Sequence, residues 1–481
     1  MNIIGITGNI GSGKSTISEH LVKKYGYTEY AFASPLKEIA KVFGFPEESL
    51  YGTQEDKLKI HPYWGISSRE FLQKMGTELF RKNMPVVFPF IKSVWVDLFR
   101  MKIKMNPDVK YIVSDIRFED EYNIIKELGG TVIKTIRNNN VLSQDKKETL
   151  HESENLSAIG YDFLIDNNKY TKEMAKKHID ILMNGVMIWW APPCAGGIGD
   201  RLLGILTTMM ISNVVDVEFL IKWDTCSIQD GMVLEDEYNF YKFENIKVDT
   251  VLDMDSFSLQ KYFSELNTSS LKNKNVITWS NQNLCKFVKN FSEKDYENAL
   301  RKVFTFFHPV EYIQDLLEIS PEYDIGIHIR THDNQIYDRE KEKIHTDYIR
   351  KRLENVKKSM NIGDANANVN ANPNIFLASD NLLTFEIARE YFPFHRIEGV
   401  IVHTGSEKEK DKEGVEKVVL DLFTLAKKCK TLYVGWHTNF SRIASMYNLE
   451  RKIFCIEYEE TQEVDRKELC EYFSESGRFR M

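Results

Sequence analysis

Cysteine is scarce in this chain and confined to its later part: Cys194, Cys226, Cys285, Cys429, Cys455 and Cys470 are scattered, with no C-x-x-C pair among them. That spacing excludes a zinc framework and a disulfide scaffold, so reduced, mostly buried thiols are expected. Long apolar runs are also missing; none approaches the roughly 18 residues of a membrane span. The first apolar strand begins at residue 2, which leaves no room for a secretory signal. A cytoplasmic protein without a membrane partner is expected. Positive charge is in deficit, with 63 Lys and Arg against 71 Asp and Glu and a net charge of −8. This argues against general electrostatic binding of a nucleic-acid duplex, while small anionic ligands need only local positive charge. What is present is size: 481 residues, 42% hydrophobic and 28% charged, more than one core usually holds and typical of globular domains.

The first sixteen residues, MNIIGITGNIGSGKST, run from an apolar strand through a glycine-rich turn into a helical pattern. Gly8, Asn9, Ile10, Gly11, Ser12, Gly13, Lys14, Ser15 and Thr16 have the order of a phosphate-binding loop. The glycines free backbone N–H groups to ring a phosphate, Lys14 supplies a point charge, and the Ser15 hydroxyl is a magnesium ligand. Lys14 is unexplained if the segment is merely a glycine-rich turn.

Further along, ASPLKEIAKVF reads as a helix with Leu36, Ile39, Ala40 and Phe43 inward. Lys37 then reaches the cleft or, the better reading on sequence alone, faces water. SSREFLQKMGTELFR opens with a Ser67-x-x-Glu70 capping box and should bury Phe71, Leu72, Met75 and Leu79. Arg69 and Gln73 share a face, and Gly76 thins the helix where a ligand could approach. KYIVSDIRFEDE is a strand ending in Asp115-x-Arg117, and a carboxylate at the carboxyl end of a parallel strand suits a magnesium-bound water. Glu121 either holds Arg117 or faces water. Arg137 leaves the next strand, and His151, Glu152 and Glu154 precede a last one, Phe163 to Ile165.

FASPLK, SSREFLQKMGTELFR, SDIRFEDE, HESE and YDFLIDN, in that order over residues 1 to 167, resemble viral and phage deoxynucleoside monophosphate kinases. The resemblance implies ATP-dependent phosphorylation of a dNMP, with Lys14, Ser15 and Asp115 around ATP and Mg2+. It also implies Lys37, Arg69, Gln73, Arg81 and Arg117 near the acceptor and Arg137 as a catalytic charge clamp. Animal-type phosphomevalonate kinases share a PLK, R-x-x-LQ and D-x-R skeleton, so a kinase for a non-nucleotide phosphate stays open.

A helix over NNKYTKEMAKKHIDILMNG closes this domain, 1–185. The composition then changes: VMIWWAPPCAGGIGDRLLGI is a new strand, a Pro-Pro break, a glycine turn and an apolar helix without a phosphate-loop lysine. Gly197 and Gly199 let backbone approach a ligand at a helix N-terminus, with Arg201 beside them. Alternating apolar runs and helices follow, including IGIHIR, IFLASD, GVIVHT, TLYVG and KIFCIEY, which is the pattern of parallel sheets flanked by helices. The span divides into 186–320 and 321–481. NIGDANANVNANPN is a polar insert and GSEKEKDKEG a solvated charge run. His328-x-Arg330 lies at a strand exit, where a guanidinium can grip a diphosphate.

GGIGDRLLGI, IGIHIRTHD, FLASDN and DLFTLAKKCKTLYVGWHTNFSRIASMY, over about 187 to 460, resemble GDP-fucose-dependent fucosyltransferases of the α1,2/α1,6 and O-fucosyl superfamily. The resemblance implies a metal-independent, inverting glycosyltransferase of two Rossmann-like halves (GT-B). Arg330 would hold the departing GDP β-phosphate. His328, Asp380, Asp421, Thr438, Asn439 and Ser441 would line the donor site, and Gly197, Gly199 and Arg201 the cleft between halves. Asp338 stands where some relatives carry a base, and is equally well a loop charge. Many members have H-x-R-R, whereas Thr331 takes the second place here, and relatives' membrane anchor is absent. Asp253-Met254-Asp255 offers a competing metal-dependent reading.

The expected fold class is therefore α/β, a P-loop kinase-like parallel sheet followed by two Rossmann-like halves. The expected ligands are ATP, Mg2+, a dNMP, GDP-fucose as donor and an unknown sugar acceptor, with a homo-oligomer left open. A sugar-nucleotide or partner-binding module without catalysis is the alternative for the second half.

Overall fold

The computed structural model describes residues 2–138, 159–191, 197–224, 231–244, 246–252, 256–265, 268–279, 284–289, 291–331, 339–362, 373–399, 412–435, 438–456 and 461–464. His151, Glu152, Glu154, Asp253, Asp255 and Asp338 lie outside the described residues, as do most of GVIVHT, the polar insert and the charge run. The chain forms two compact units, Met1–Met183 and Asn184–Met481.

In the first unit, β1 (Ile3–Gly8), β2 (Thr28–Tyr30), β3 (Tyr111–Val113), β4 (Thr131–Ile136) and β5 (Phe163–Asp166) form one parallel sheet in the order β2-β3-β1-β4-β5. β1 is central and buried from Ile3 to Thr7, which is why it reads as an unbroken apolar run: both faces are covered. The chain leaves β1 for β2 and returns to β3 on one side, then crosses over to β4 on the other, so a crevice opens at the carboxyl end of β1. The glycine loop fills that crevice and runs into α1 (Lys14–Tyr25), which stops at the left-handed Gly26. Phe32, Leu36, Trp95, Phe99, Val113, Ile116 and Ile125 pack the core beneath the acceptor side.

The helix after Ser67 departs from expectation. Ser67 accepts from Glu70 N (3.2 Å), but the regular helix ends at Gln73 and continues as a wider, i→i+5 bonded segment, Lys74–Asn83. The wider turn rotates later side chains off the 3.6-residue stripe. Phe71 is buried while Leu79, expected inside, is 46% exposed.

The second unit holds two further parallel-sheet layers. β6 (Gly185–Ala191), β7 (Glu218–Trp223), β9 (Thr250–Leu252) and β10 (Lys274–Thr278) pair as β7-β6-β10-β9, and β8 (Met232–Leu234) pairs antiparallel with β11 (Phe307–Pro309). β12 (Tyr323–Ile329), β13 (Ile375–Ser379), β14 (Cys429–Val434), β15 (Lys452–Cys455) and the antiparallel edge β16 (Gln462–Glu463) form the other sheet, β13-β12-β14-β15-β16. The architecture is α/β, with two Rossmann-like halves after the first unit.

Among the described residues one helix, Ile198–Val215, is long and apolar enough to cross a membrane, a length the sequence reading had not anticipated. It is apolar nearly all round because it is buried nearly all round, without a break from Leu202 to Ser212, in the core of this unit. Cys285, Cys429 and Cys455 are free, buried thiols; the other three cysteines lie outside the described residues.

Candidate functional sites in two clefts

In the first unit the loop is pressed against the ends of β4 and β5. Gly8 (φ 147°) and Gly13 (φ 103°) adopt conformations that side chains rarely take, and a Cβ would meet Thr135 O at 2.3 Å and Asn167 Nδ2 at 2.4 Å respectively. The Ser12 and Thr135 hydroxyls share a 2.7 Å hydrogen bond, and Asn167 donates to Ser12 O (2.5 Å). Lys14 curls over its own loop, donating to the carbonyls of Gly8 (2.7 Å) and Asn9 (2.8 Å). Burial, then Arg117, pulls its pKa down to about 8 against the opposing field of Asp115. Asn9, Ile10, Gly11 and Ser15 are exposed, and Thr16 is half-buried in the first turn of α1. Ser15 is thus an open hydroxyl at a helix N-terminus.

Beside the loop is a cleft of about 1850 Å³, whose lining includes Ile10, Lys37, Lys57, Arg69, Gln73, Arg81, Asp115, Arg117 and Glu121. The structure therefore brings Lys37, Arg69, Gln73, Arg81, Asp115 and Arg117 together, and adds Lys57, which no motif marked. Lys37 begins not as the solvated lysine of the better sequence reading but half-buried, its ammonium 4.2 Å over the Tyr51 ring. Burial and then Lys57 lower its pKa. Asp115 accepts from Phe32 N (2.8 Å) and Ala33 N (3.0 Å), so it fixes the entry to the helix Ser34–Val42 that carries Lys37. Burial raises its pKa against those two hydrogen bonds.

Arg81 stands in this cleft with the other residues the resemblance implies. Its Nη1 donates to both Asp120 oxygens (2.5 and 2.6 Å), its Nη2 to Glu121 (2.6 Å), and its plane lies 3.7 Å from the Phe118 ring. Those bonds hold the guanidinium through Nη1 and Nη2, while Nε is buried without a hydrogen-bond partner among the described residues. Of its two readings, Glu121 takes the first and holds Arg117, through the backbone rather than by facing water. It is buried and accepts from the backbone N–H of Arg117 (2.8 Å) and Phe118 (3.3 Å), capping the helix that follows. Burial pushes it up to about 8, with Arg81 opposing. Gly76 lines the cleft, as expected, and also serves packing: a Cβ there would lie 2.7 Å from Leu36 Cδ2, and its carbonyl accepts from Trp95 Nε1 (3.2 Å). Arg137 is exposed beyond β4 and does not line the cleft.

The second unit has a narrower cleft of about 650 Å³, lined by residues that include Gly197, Gly199, Asp200, His328, Arg330, Asp380, Lys417, Asp421 and Asn439. Gly199 is required by proximity, since a Cβ would lie 2.3 Å from Phe440 N. Asp200 accepts from Gly197 N (3.1 Å) and from Asn439 Nδ2 (2.5 Å), joining the glycine turn to the helix Asn439–Met446. His328 is buried, stacked on Phe440, and bonded through Nδ1 to Ser441 Oγ (2.5 Å). Burial, then Arg330 and Lys417, push its pKa down to about 3, so it is neutral.

Arg330 Nε lies 3.8 Å from Asp380 Oδ2. The other Asp380 oxygen accepts from Thr331 N (3.0 Å) and Oγ1 (3.3 Å), and Asn381 donates to Thr331 Oγ1 (3.1 Å). Thr331 is thus a buried clip between the ends of β12 and β13, which explains a small hydroxyl residue there. Three predicted residues do not line the cleft. Arg201 is fully buried with its guanidinium 5.4 Å from the Trp223 ring; Thr438 caps the helix at Ser441 N (3.1 Å), and Ser441 supports His328 from behind. Lys417, salt-bridged to Asp421 with both side chains buried, was missed. The only signal was its i,i+4 spacing to Asp421 inside an otherwise apolar helical stripe.

Residues 48–178 match the family model of deoxynucleotide monophosphate kinase. A putative deoxynucleotide monophosphate kinase of Acanthamoeba polyphaga mimivirus is 36% identical over 191 residues, 38% of this chain and 97% of that relative. A crystal structure of POFUT1 in complex with GDP is 13% identical, covering 69% of this chain and 92% of that one, at a TM-score of 0.22, too low to bear on fold or function. By its first unit, the chain belongs to the deoxynucleotide monophosphate kinase family.

Proposed function

We propose that this is a bifunctional, cytoplasmic enzyme: the first unit transfers the ATP γ-phosphoryl group to a deoxynucleoside monophosphate, and the second transfers fucose from GDP-fucose to a sugar acceptor. The observation that carries the first half is the convergence of Lys37, Arg69 and Arg117 on a cleft beside the Lys14 loop, cations for an acceptor phosphate next to a cradle for a donor. Ser15 and, through water, Asp115 are oxygen donors of the kind that would hold magnesium, which would screen the charge of the γ-phosphoryl group that ATP supplies. Lys14 exchanges its loop carbonyls for phosphate oxygens, and the Arg117 and Lys37 charges hold the acceptor phosphate in line. The phosphomevalonate alternative is an outcome of the substrate panel described in the Discussion.

For the second unit, support comes from the chemistry of the two ends of its cleft. Arg330, steadied by Asp380, suits a diphosphate. At Asp421 one carboxylate oxygen, Oδ1, is buried with no hydrogen-bond partner. A free carboxylate oxygen seeks N–H donors, and guanine presents two adjacent ones, N1–H and the 2-amino group, whereas adenine and pyrimidines place acceptors beside their donor. The buried Thr331 leaves one guanidinium where many relatives of the resemblance have two, an observation that favours the binding-module alternative. Fucose and GDP release from GDP-fucose separates the two. Arg330→Ala should lower release by about 10² to 10³, as for loss of one preorganised charge-stabilising group. Arg330→Lys, with charge but no planar fork, should recover part of it. Parent protein that binds GDP-fucose without releasing either product would establish the binding module instead.

A further inference from the structure

We propose that Lys417 is a positioning residue for base selection: through its salt bridge it keeps Asp421, which lines the cleft, ionised with its second oxygen unspent, and so determines whether guanine is bound. The proposal rests on the GDP reading of this cleft.

The two groups lie one turn apart on the helix Lys412–Lys428, with side-chain exposures of only 5% and 7%. Neither long helix faces nor ordinary solubility explains them, because charges are rarely taken out of water unless something repays the cost. The Lys417 ammonium is spent on Asp421 Oδ2 and lies 5.9 Å from the centre of the Phe385 ring; Asp421 lines the cleft, and its Oδ1, with almost no exposed surface, has no hydrogen-bond partner among the described residues. A pair built only for stability would satisfy both oxygens.

The other charged groups lining this cleft come from three elements packed against the helix. His328, from β12, is held neutral by burial. Arg330, beyond β12, is turned to Asp380 at 3.8 Å, beyond β13, and Asp200, on the helix Ile198–Val215, is occupied by Gly197 and Asn439. Lys417 is therefore the cation bonded to Asp421. Even so paired, burial holds Asp421 up to about 6. Removing an adjacent cation typically raises a carboxyl by about 1–3 units, which leaves it mostly protonated at neutral pH. A carboxylic acid offers one donor and one acceptor and no longer matches two adjacent N–H groups.

The test is calorimetric titration of the full chain with GDP and with ADP between pH 5.5 and 9. Parent GDP affinity should fall below about pH 6. Lys417→Met should weaken GDP binding about tenfold at pH 7, recover toward the parent by pH 9, and leave ADP unchanged. Lys417→Arg should keep the parent profile. If Lys417→Met does not fold, Lys417→Met with Asp421→Asn removes both charges and should bind GDP weakly at every pH. Parent-like GDP affinity in either charge-removing variant, or a loss in Lys417→Met that is equal at all pH values, would overturn the proposal. A parent that binds no GDP would overturn the GDP reading itself, and the proposal with it.

Discussion

The cleft of the first unit is wide, and its cations Lys37, Lys57, Arg69 and Arg117 stand on its walls; that of the second is narrower, and its charges are tied to one another before any ligand arrives, Arg330 to Asp380 and Lys417 to Asp421. The first is organised by backbone, a loop whose conformation depends on Gly8 and Gly13. The second is organised by buried polar pairs from segments far apart in sequence. The contrast separates two ways of framing a cleft: one by a loop whose backbone conformation sets its shape, the other by side chains paired across long sequence separations.

That contrast breaks most visibly at Arg81, the one place where the first cleft behaves like the second. Arg81→Met removes the hydrogen bonds that Asp120 and buried Glu121 accept from the guanidinium, which should cost about 1–3 kcal/mol of stability. Because Glu121 holds the Arg117 backbone, the variant should also raise the KM for the acceptor more than it lowers kcat. Denaturant melts and acceptor titrations read the two effects separately; a change in kcat alone would place Arg81 in direct contact with the reacting groups. A comparable effect sharpens the other side. Gly199→Ala forces a methyl against the backbone of Asn439 and Phe440 and should cost about 1–3 kcal/mol by overpacking, with weaker GDP binding and unchanged kinase turnover. Intact GDP binding would mean that the glycine turn does not shape the second cleft.

The same contrast explains what the sequence made legible. A loop whose function lies in backbone geometry leaves a contiguous trace, Gly8 to Ser15, and parallel strands buried on both faces leave apolar runs, so β1, β3 and β12 and their order of use were readable. Side-chain partnerships across long separations leave no such trace. Nothing in FRKN announces that Arg81 will be taken by Asp120 and Glu121, 39 and 40 residues away, and nothing in IRTH shows that Thr331 will clip to Asp380, 49 residues on. Leu79 was misjudged because a 3.6-residue stripe assumes a regular helix, and the segment widens after Gln73. Arg201 was placed by its neighbours in sequence, Gly197 and Gly199, although the following helix turns it into the core.

The account's central claim, a deoxynucleoside monophosphate kinase site that is chemically separate from the second cleft, is tested most directly by ADP release from ATP and magnesium with the full chain and its Lys14→Ala variant. The acceptors are the four dNMPs, their ribonucleotide counterparts and phosphomevalonate, with GDP binding measured on the same samples. The account predicts turnover with at least one dNMP, none with phosphomevalonate, a loss on the order of 10³ in Lys14→Ala, and GDP affinity equal in both proteins. Turnover of phosphomevalonate without any dNMP, or loss of GDP binding together with kinase activity in a variant that still melts cooperatively, would contradict it.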